Sequence, residues 1–316
     1  MALYTRWSRV LKDLYPFKVF KIPLHAGFTC PNRDGSKAYG GCVYCDNRSF
    51  APNTRGPKAE LEEQLAKGKQ RYWRREPGAK FIAYFQAYSN TYAPVAELKG
   101  IYEVATKDPD VVGISIGTRP DCSSDEVLDL IESLRTPDRR VWVEYGLESS
   151  HESSLLWMNR CHSAADFADA VNRTAARGLA VVAHVILGIP GETREMMRET
   201  ARFIAELPVD SIKIHHLYVS PHTALEGMWR RGEAAVPTLE EHVAAAADFL
   251  EILPERVSIQ RLIGELPGEW CLAPDWGLTK DQIHAAIEAE LTRRGTRQGA
   301  KAPLARRSAE RVGGAR

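Results

Sequence analysis

The sequence predicts an α/β protein in which parallel strands form a partial or complete barrel. Short apolar runs rich in β-branched and aromatic residues alternate with helical patterns along the chain, and this alternation is typical of βα units. Most of the runs are apolar on both faces, as expected of parallel strands that helices cover or a barrel encloses. The length of 316 residues suits one large barrel with additions. Six strands before about residue 220 favour that arrangement over two separate domains.

The predicted strands follow one another in a regular order. They are VFKIPL (19–24), FIAYF (81–85), VVGISIG (111–117), VWVEYGL (141–147), VVAHVILGI (181–189) and IKIHHLYV (212–219). Capping-box spacing predicts helix starts where a Ser or Thr precedes Glu or Gln by three residues. These pairs are Ser123 with Glu126, Thr238 with Glu241, and Thr279 with Gln282.

The composition is that of an ordinary globular chain. Hydrophobic residues make up 44% and charged residues 26%, with a formal net charge of +1, which excludes collagen, coiled coil and wholesale disorder. The first residues, MALYTRWSRVLKDLYPF, carry charges where a secretory signal needs an apolar stretch. The longest apolar run, 179–191, is far shorter than the roughly 20 residues of a membrane helix. We therefore expect a cytoplasmic protein with reduced thiols and no membrane partner.

The chain divides into four predicted parts. Residues 1–18 form an N-terminal helical extension, 19–235 the barrel, 236–291 a C-terminal extension that packs on it, and 292–316 a basic flexible tail. The tail holds eight basic residues and one acidic residue, so it carries +7 and the remaining chain −6. Few large apolar residues lie in it, which is typical of disorder. A solvated tail without a partner and a tail that contacts phosphates are both open interpretations.

The segments that follow the strands are polar or contain glycine. They are AGFTCPNRDG, QAYSNTY, TRPDCSS, ESSHES, PGET and SPHT. In parallel α/β folds the loops at the carboxyl ends of the strands build the active site. We therefore expect these segments to converge.

Cys30, Cys42 and Cys45 form a C-x11-C-x2-C pattern directly after the first predicted strand. Thiolates in a reducing compartment are soft ligands that suit zinc or an iron-sulfur cluster. A structural zinc normally needs a fourth protein ligand, for which His25 is the candidate, whereas a cluster held by three thiolates leaves one iron open. The spacing alone does not choose between the two. Cys122, Cys161 and Cys271 lack ligand spacing, so no second cluster is predicted.

The sequence around these cysteines resembles that of a known family. CVYC, within FTCPNRDGSKAYGGCVYC, is similar to the radical S-adenosylmethionine (SAM) superfamily and, in its longer form, to the YtqA/YhcC branch, which is related to the radical domain of the Elongator catalytic subunit. The resemblance continues in FQAYSNTYAP, GISIGTRPD, GLESSHESSLLWMNRCH, HVILGIPGET and RLIGELPGEWCLAPDW. It covers roughly residues 18–291. It implies a partial (β/α)6 TIM-type barrel with a C-terminal α/β extension.

The resemblance also implies the cofactors. Cys30, Cys42 and Cys45 would bind three irons of one [4Fe-4S] cluster, and SAM would chelate the fourth. Reduction of SAM would release methionine and a 5′-deoxyadenosyl radical that abstracts hydrogen from the substrate. An electron donor such as flavodoxin or ferredoxin is implied as a partner.

Further residues take SAM-binding roles by the same resemblance. Tyr44 would pack near the adenine, Glu148 and Arg160 would contact the ribose and carboxylate, and Gly188, with Pro190 and Gly191, would let the chain pass close to the adenosine. His184 occupies a position at which some relatives carry an acidic ribose ligand. The group expected at the SAM amino end is Gln86, Ser89, Asn90 and Thr91.

Ordinary structural roles remain open for several of these residues. Tyr44 and His184 could be core side chains, and Ser89 and Asn90 could serve a turn. Arg119 and Asp121 could face SAM or substrate, or pair with each other. The histidines considered as substrate contacts are His215, His216 and His222.

The relatives point to RNA as substrate. We expect a radical SAM enzyme that modifies the wobble uridine of tRNA by converting a carboxymethylaminomethyl side chain to aminomethyl. One alternative is a radical SAM enzyme with a small-molecule or protein substrate. The other is a zinc-bound nucleic-acid-binding protein without catalysis.

Overall fold

Seven parallel strands form one curled half-barrel in the part of the chain that the computed structural model describes, residues 2–303. Their spatial order equals their sequence order, and every neighbouring pair is parallel. The strands are β1 Val19–Leu24, β2 Lys80–Phe85, β3 Val111–Thr118, β4 Arg140–Glu148, β5 Ala180–Leu187, β6 Ser211–His216 and β7 Ser258–Arg261. The predicted partial barrel is confirmed, and β7 of the C-terminal extension adds a strand to the six that the sequence indicated.

Helices connect the strands and cover the outer face of the sheet. They are α1 Trp7–Leu14, α2 Asn47–Phe50, α3 Leu61–Trp73, α4 Val95–Lys107, α5 Asp125–Ser133, α6 Glu152–Trp157, α7 Ala164–Ala176, α8 Arg194–Glu206, α9 Ala224–Arg230, α10 Leu239–Ile252 and α11 Lys280–Arg293. Short 3-10 turns lie at Pro52–Thr54, Pro120–Cys122 and Gly268–Trp270. None of the helices within residues 2–303 is long and apolar enough to cross a membrane.

The predicted helix starts are correct at two of three positions. Thr238 and Thr279 form complete capping boxes at α10 and α11. At α5 the cap is Ser124, whose side chain accepts from the backbone N–H of Val127. Ser123 instead donates its hydroxyl to the carbonyl of Pro120, because the 3-10 turn before α5 moves the helix start by one residue.

The base of the half-barrel is closed by α1. Trp7 packs edge-on against Trp142 of β4 with ring centroids 5.5 Å apart, and both belong to an apolar cluster that includes Ile82 and Val182. A bridge between Arg6 and Ile259, which lies on β7, ties the N-terminal segment to the last strand. The N-terminal segment therefore covers the amino-terminal side of the sheet near β4 and β7.

Residues 292–303, which the sequence assigns to a flexible tail, pack on the body of the protein. Arg293 ends α11, and Gln298 is buried. The Gln298 amide donates to the carbonyls of Pro254 at 2.8 Å and Val257 at 2.7 Å. Residues 292–303 thus pack on the body through amide hydrogen bonds that composition does not reveal, and residues 304–316 lie outside the described part.

Candidate functional site

A cleft of about 1250 Å³, including its mouth, opens at the carboxyl ends of the strands. It is lined by residues from the loops after β1, β2 and β3, and by the ends of β4, β5, β6 and β7. Of the predicted site residues, the lining includes Cys30, Cys42, Tyr44, Cys45, Gln86, Ser89, Glu148, Arg160 and His184. The expected convergence therefore occurs for most of the strand-end loops, although PGET and SPHT contribute no lining residue.

The three cysteines are held by a loop that is hydrogen-bonded to the neighbouring loop after α6. Asn159 donates its side-chain amide to the carbonyl of Gly41 at 2.9 Å, and the backbone N–H of Val43 donates to Met158 at 3.1 Å. Arg33 reaches back to the carbonyl of Cys45 at 2.8 Å. These bonds fix the three thiols on one wall of the cleft.

Two of the cysteine sulfurs accept hydrogen bonds from nitrogen donors. The Cys42 Sγ lies 3.6 Å from Asn32 Nδ2 and 3.4 Å from Arg160 Nη1, and the Cys45 Sγ lies 3.8 Å from Asn47 Nδ2. Hydrogen bonds to sulfur stabilise thiolates and tune cluster potentials. Burial, followed by the neighbouring Cys42, raises the pKa of Cys45 to about 12. A thiolate at this position therefore needs a cation such as iron beside it.

The three thiols suit an iron-sulfur cluster, in which each thiolate binds a separate iron. His25, the candidate fourth zinc ligand, is not among the cleft residues and has its ring 5.9 Å from that of Tyr88.

Glu148 and Arg160 meet at the centre of the cleft. Arg160 Nη2 donates to the carbonyl of Gly146 at 2.8 Å and lies 3.6 Å from Glu148 Oε1. A Cβ at Gly146 would come within 2.5 Å of Glu148 Oε1 and 2.8 Å of Arg160 Nη2, so a side chain there would displace the carboxylate or the guanidinium. Burial raises the pKa of Glu148, and the Arg160 charge offsets part of the rise. Tyr44 completes the group, with its hydroxyl 3.3 Å from Arg160 Nη1.

Backbone strain is concentrated around this group. Tyr88, Glu148, Asn159 and Cys161 have φ angles of 65°, 68°, 55° and 55°, in the left-handed region that side-chain-bearing residues seldom adopt. Strained residues of this kind cluster at binding sites, where the surrounding structure holds them. Here the strain fixes the direction of Glu148 and of the loop that carries Arg160.

Arg119 is buried and bonded to protein through Nε and Nη2. It donates to both carboxylate oxygens of Asp121 at 2.9 Å and to the carbonyl of Arg160 at 2.7 Å. Its Nη1 is buried and has no hydrogen-bond partner within the described residues. Both possibilities raised by the sequence thus occur together, because Arg119 pairs with Asp121 and also lines the cleft.

Three predicted SAM contacts lie outside the cleft lining. The Asn90 amide donates to the carbonyl of Gly117 at 2.8 Å, and the Thr91 hydroxyl lies 2.6 Å from that of Thr118. Gly188, at φ +82°, has its open side against Pro237, 2.7 Å from where a Cβ would stand. The structural alternative therefore accounts for Asn90 and Thr91, and close packing on α10's leading segment accounts for Gly188.

The histidines near β6 separate into two groups. His215 and His216 line the cleft, while the predicted contact His222 does not. His216 packs at a tilt against Trp276, with a centroid distance of 4.5 Å. Burial, and then Arg261, lower the pKa of His215 well below its usual range, so His215 is neutral at physiological pH.

The sequence analysis missed a group of polar and charged side chains inside the barrel, here named the inner charge network: Lys21, Ser115, Glu144, His184 and Lys213. Glu144 accepts from Lys21 Nζ at 2.6 Å, from His184 Nε2 at 2.8 Å, and from Lys213 and Ser115. The signal was present, because Glu144 in VWVEYGL and Lys213 in IKIHH are charges inside apolar strands. Such charges are buried only when paired.

The pKa values in this network are shifted because two lysines share one carboxylate and the groups are buried. Lys21 and Lys213 hold the pKa of Glu144 well below its usual range, although burial alone would raise it. Burial lowers the pKa of Lys213 to about 7, even though Glu144 acts in the opposite direction. Burial, and then Lys213, lower the pKa of His184 to about 4. His184 is therefore a neutral donor to Glu144, as well as a cleft residue.

Comparison with known proteins identifies the family of this chain. The profile of the radical SAM superfamily matches residues 30–204, and that of the radical SAM C-terminal domain matches residues 209–293. The chain therefore belongs to the radical SAM superfamily. Within it, the chain is a member of the YtqA/YhcC family: it is 38% identical to YtqA of Bacillus subtilis, over 92% of this chain and 89% of that protein. The identity to YhcC of Escherichia coli K12 is 35%, over 83% and 84%.

The chain is also similar to two proteins of one archaeon. The chain is 31% identical to the tRNA uridine(34) acetyltransferase of Methanocaldococcus infernus, over 49% of this chain and 29% of that protein. The solved structure of Elp3 from the same archaeon superposes with a TM-score of 0.68 at 18% identity, covering 89% of this chain and 64% of that one. The chain thus spans less than two thirds of the Elp3 chain, and the likeness shows the fold.

The family settles the cofactors. Radical SAM enzymes use a [4Fe-4S] cluster and SAM, and this confirms the cofactors expected from the cysteine pattern. The cleft residues fit both, since three thiols share a wall and the buried Arg119 Nη1 presents a free donor.

Proposed function

We propose that this radical SAM enzyme acts on the wobble uridine of tRNA and converts a carboxymethylaminomethyl side chain to aminomethyl. The observation that carries the proposal is the similarity to a protein named tRNA uridine(34) acetyltransferase, which extends over about half of this chain. The cleft supports it, because a single base with its side chain can enter a space of this size from the open end.

The rim of the cleft offers a surface for RNA. Arg48 and Arg55 stand over the ring of Trp270 at 5.6 and 5.0 Å. Arg48 belongs to α2, in which Asn47 and Phe50 line the cleft. An aromatic ring between arginines suits stacking on an unpaired base and contact with phosphates. Arg293, Arg294 and Lys301 each pair with a carboxylate of the body, as Arg48 does with Asp46.

SAM would be held by the group around Glu148. We assign the ribose hydroxyls to the Glu148 carboxylate, the adenine to the side of Tyr44, and the amino end to Gln86 and Ser89, because each lines the cleft. Arg160 is bonded to Gly146 and Cys42, so it orients the site while Arg119 Nη1 offers the free donor for the SAM carboxylate. When bound, the cluster and SAM supply hydrogen-atom abstraction.

The protein's part in the reaction is to orient and to exclude water. Trp7 and the apolar cluster around Trp142 cover the base of the interior, so the base offers no polar path to the cleft. A substrate that fills the mouth would leave the reacting carbon in a dry space, which protects a reactive intermediate from quenching.

The test uses holoenzyme reconstituted under anaerobic conditions. SAM, dithionite and tRNA carrying carboxymethylaminomethyluridine are added, and 5′-deoxyadenosine and the wobble-nucleoside mass are measured. We expect the mass of the aminomethyl product, formed only with wild type and not with a Cys30→Ala, Cys42→Ala, Cys45→Ala variant. Equal 5′-deoxyadenosine from both proteins would contradict radical chemistry at this cluster. Deoxyadenosine without any change in the nucleoside would instead contradict the tRNA substrate.

A further inference from the structure

Arg261 ends β7 and lines the cleft. Within residues 2–303 its guanidinium forms neither a hydrogen bond nor an ion pair. The carboxylate of Glu265, on which the charge of Arg261 acts, is paired with Lys280. A half-buried guanidinium without a partner is costly to desolvate, so its position calls for an anionic ligand.

The surroundings of Arg261 are cationic. Its Cα pairs in register with Lys213 of β6, and its charge acts on His215 and on the phenol of Tyr84. Lys213 and Lys21 share the single carboxylate of Glu144. This side of the interior therefore holds more positive than negative charge, and a bound anion would balance it.

The location favours a group on the substrate base over the RNA backbone. Arg261 is on a strand inside the barrel, beside buried Lys213 and half-buried His215, whereas phosphates of a docked RNA would follow the rim. Tyr218 lies within electrostatic range of both Cys45 and Arg261, which places Arg261 across the same cavity from the cysteine wall. A side chain that reaches past the cluster end of the cleft would meet this guanidinium.

We propose that Arg261 binds a carboxylate on the substrate side chain and so makes the enzyme selective for an anionic substituent. The proposal rests on the proposed function, because the carboxymethylaminomethyl group ends in a carboxylate. A planar guanidinium can bind both carboxylate oxygens at once, which fixes the orientation of the methylene next to them. Arg261 is thus a specificity residue that positions the carbon from which hydrogen is taken.

The experiment compares two ligands on three proteins. Anaerobic holoenzyme with SAM is titrated with an anticodon stem-loop that carries carboxymethylaminomethyluridine, or the methyl ester of that side chain. Wild type should bind the acid roughly 10- to 100-fold more tightly than the ester, as charge-assisted hydrogen bonds allow. Arg261→Met should bind both equally. Arg231→Met, which alters an exposed arginine paired with Glu233, should keep the wild-type ratio.

Several results would overturn the assignment. Equal affinity of wild type for acid and ester would do so, as would an Arg261→Met variant that retains the preference. An equal loss of affinity for both ligands would mean that Arg261 contacts a phosphate. If Arg261→Met fails to load its cluster, Arg261→Lys keeps the charge but loses the bidentate fork, and its acid-to-ester ratio must then fall below that of wild type.

Turnover separates this proposal from the proposed function. Acid-selective binding without any change of the nucleoside would overturn the proposed reaction while Arg261 keeps its role. Conversion of the acid by wild type and by Arg261→Met with the same KM would leave the reaction standing and remove Arg261 from it.

Discussion

Glu144 and Glu148 are both buried carboxylates on β4, but their surroundings differ. Glu144 receives hydrogen bonds from four side chains of the inner charge network. Glu148 has one cationic neighbour, at 3.6 Å, and faces the cleft. The pKa values move in opposite directions, well below the usual range for Glu144 and above it for Glu148. The inner network is satisfied by the protein itself, whereas the cleft retains polar groups for ligands.

The largest expected effect is on radical formation, and it comes from a change in the cleft. Replacing Cys42 by Ala should lower 5′-deoxyadenosine formation by more than about 100-fold, since even outer partners of metal ligands cost 10- to 100-fold. Iron content and the visible absorption of the cluster should fall with it. Cys161→Ala is the matched control, because Cys161 is an exposed thiol outside the cleft. Equal loss in both variants would refute the ligand assignment.

Glu144→Gln should lower the stability of the protein by disrupting the inner charge network. Removing this carboxylate leaves Lys21 and Lys213 uncompensated in the interior, so the free energy of unfolding should fall by about 3–5 kcal/mol. Denaturant unfolding of the two Gln variants measures the contrast. Glu148→Gln should cost no more than about 1 kcal/mol, because it removes a charge with one distant partner. Similar losses in both would show that the two carboxylates are equivalent structural groups.

Glu148→Gln should act on SAM instead. An amide is a weaker acceptor for ribose hydroxyls than a carboxylate, so the Kd for SAM should rise about 10-fold. Equilibrium binding to the reconstituted protein checks this, with Glu144→Gln measured at a temperature at which it is folded. Unchanged SAM affinity in Glu148→Gln would remove Glu148 from the ribose site.

The pH dependence of stability sharpens the account of the inner network. Lys213 has a pKa of about 7 in the folded protein, below its ordinary value near 10.4. Between these values the unfolded chain binds more protons, so stability should rise with pH, by at most about 1.4 kcal/mol per pH unit. Lys213→Met lacks this contribution. Parallel stability curves for the two proteins between pH 7 and 10 would contradict a buried, depressed lysine.

The smallest effect concerns the rim outside both regions. Trp270→Ala should weaken tRNA binding about fivefold, since one stacked base is worth roughly 1–3 kcal/mol, while SAM cleavage without tRNA stays unchanged. Phe17→Ala is the control, because Phe17 is an exposed aromatic that precedes β1 at the closed base. Equal weakening in both variants would argue against an RNA surface at Trp270.

Sequence patterns predicted the parts of the molecule that depend on local chemistry. The run VFKIPL coincides with β1, and the three cysteines lie on one wall as their spacing suggested. The strand that no apolar run indicated, β7, has only four residues, three of them polar or charged. The open side of Gly188 meets Pro237, a contact between distant segments that no local pattern contains, and its SAM contact stays a prediction.

For the charged residues too, sequence patterns reveal the residue but not its partner. Lys213 and Glu144 were visible as charges in apolar strands, but their pairing depends on which strands become neighbours across the interior. That Arg261 has no hydrogen-bond or ion-pair partner within residues 2–303 is harder still to foresee, because the pairing of Glu265 with Lys280 depends on the tertiary fold. Sequence indicates which groups need partners, and the tertiary fold decides which of them find one inside the protein.

The contacts of the N-terminal segment also set an order of assembly. Thr5 donates its backbone N–H to Gln298, 293 residues further along the chain, and Arg6 pairs with Ile259. The residues that leave the ribosome first therefore cannot dock until almost the whole chain has been synthesised. Until then the apolar floor around Trp142 is exposed, so the newly made protein depends on late, long-range docking to become sealed.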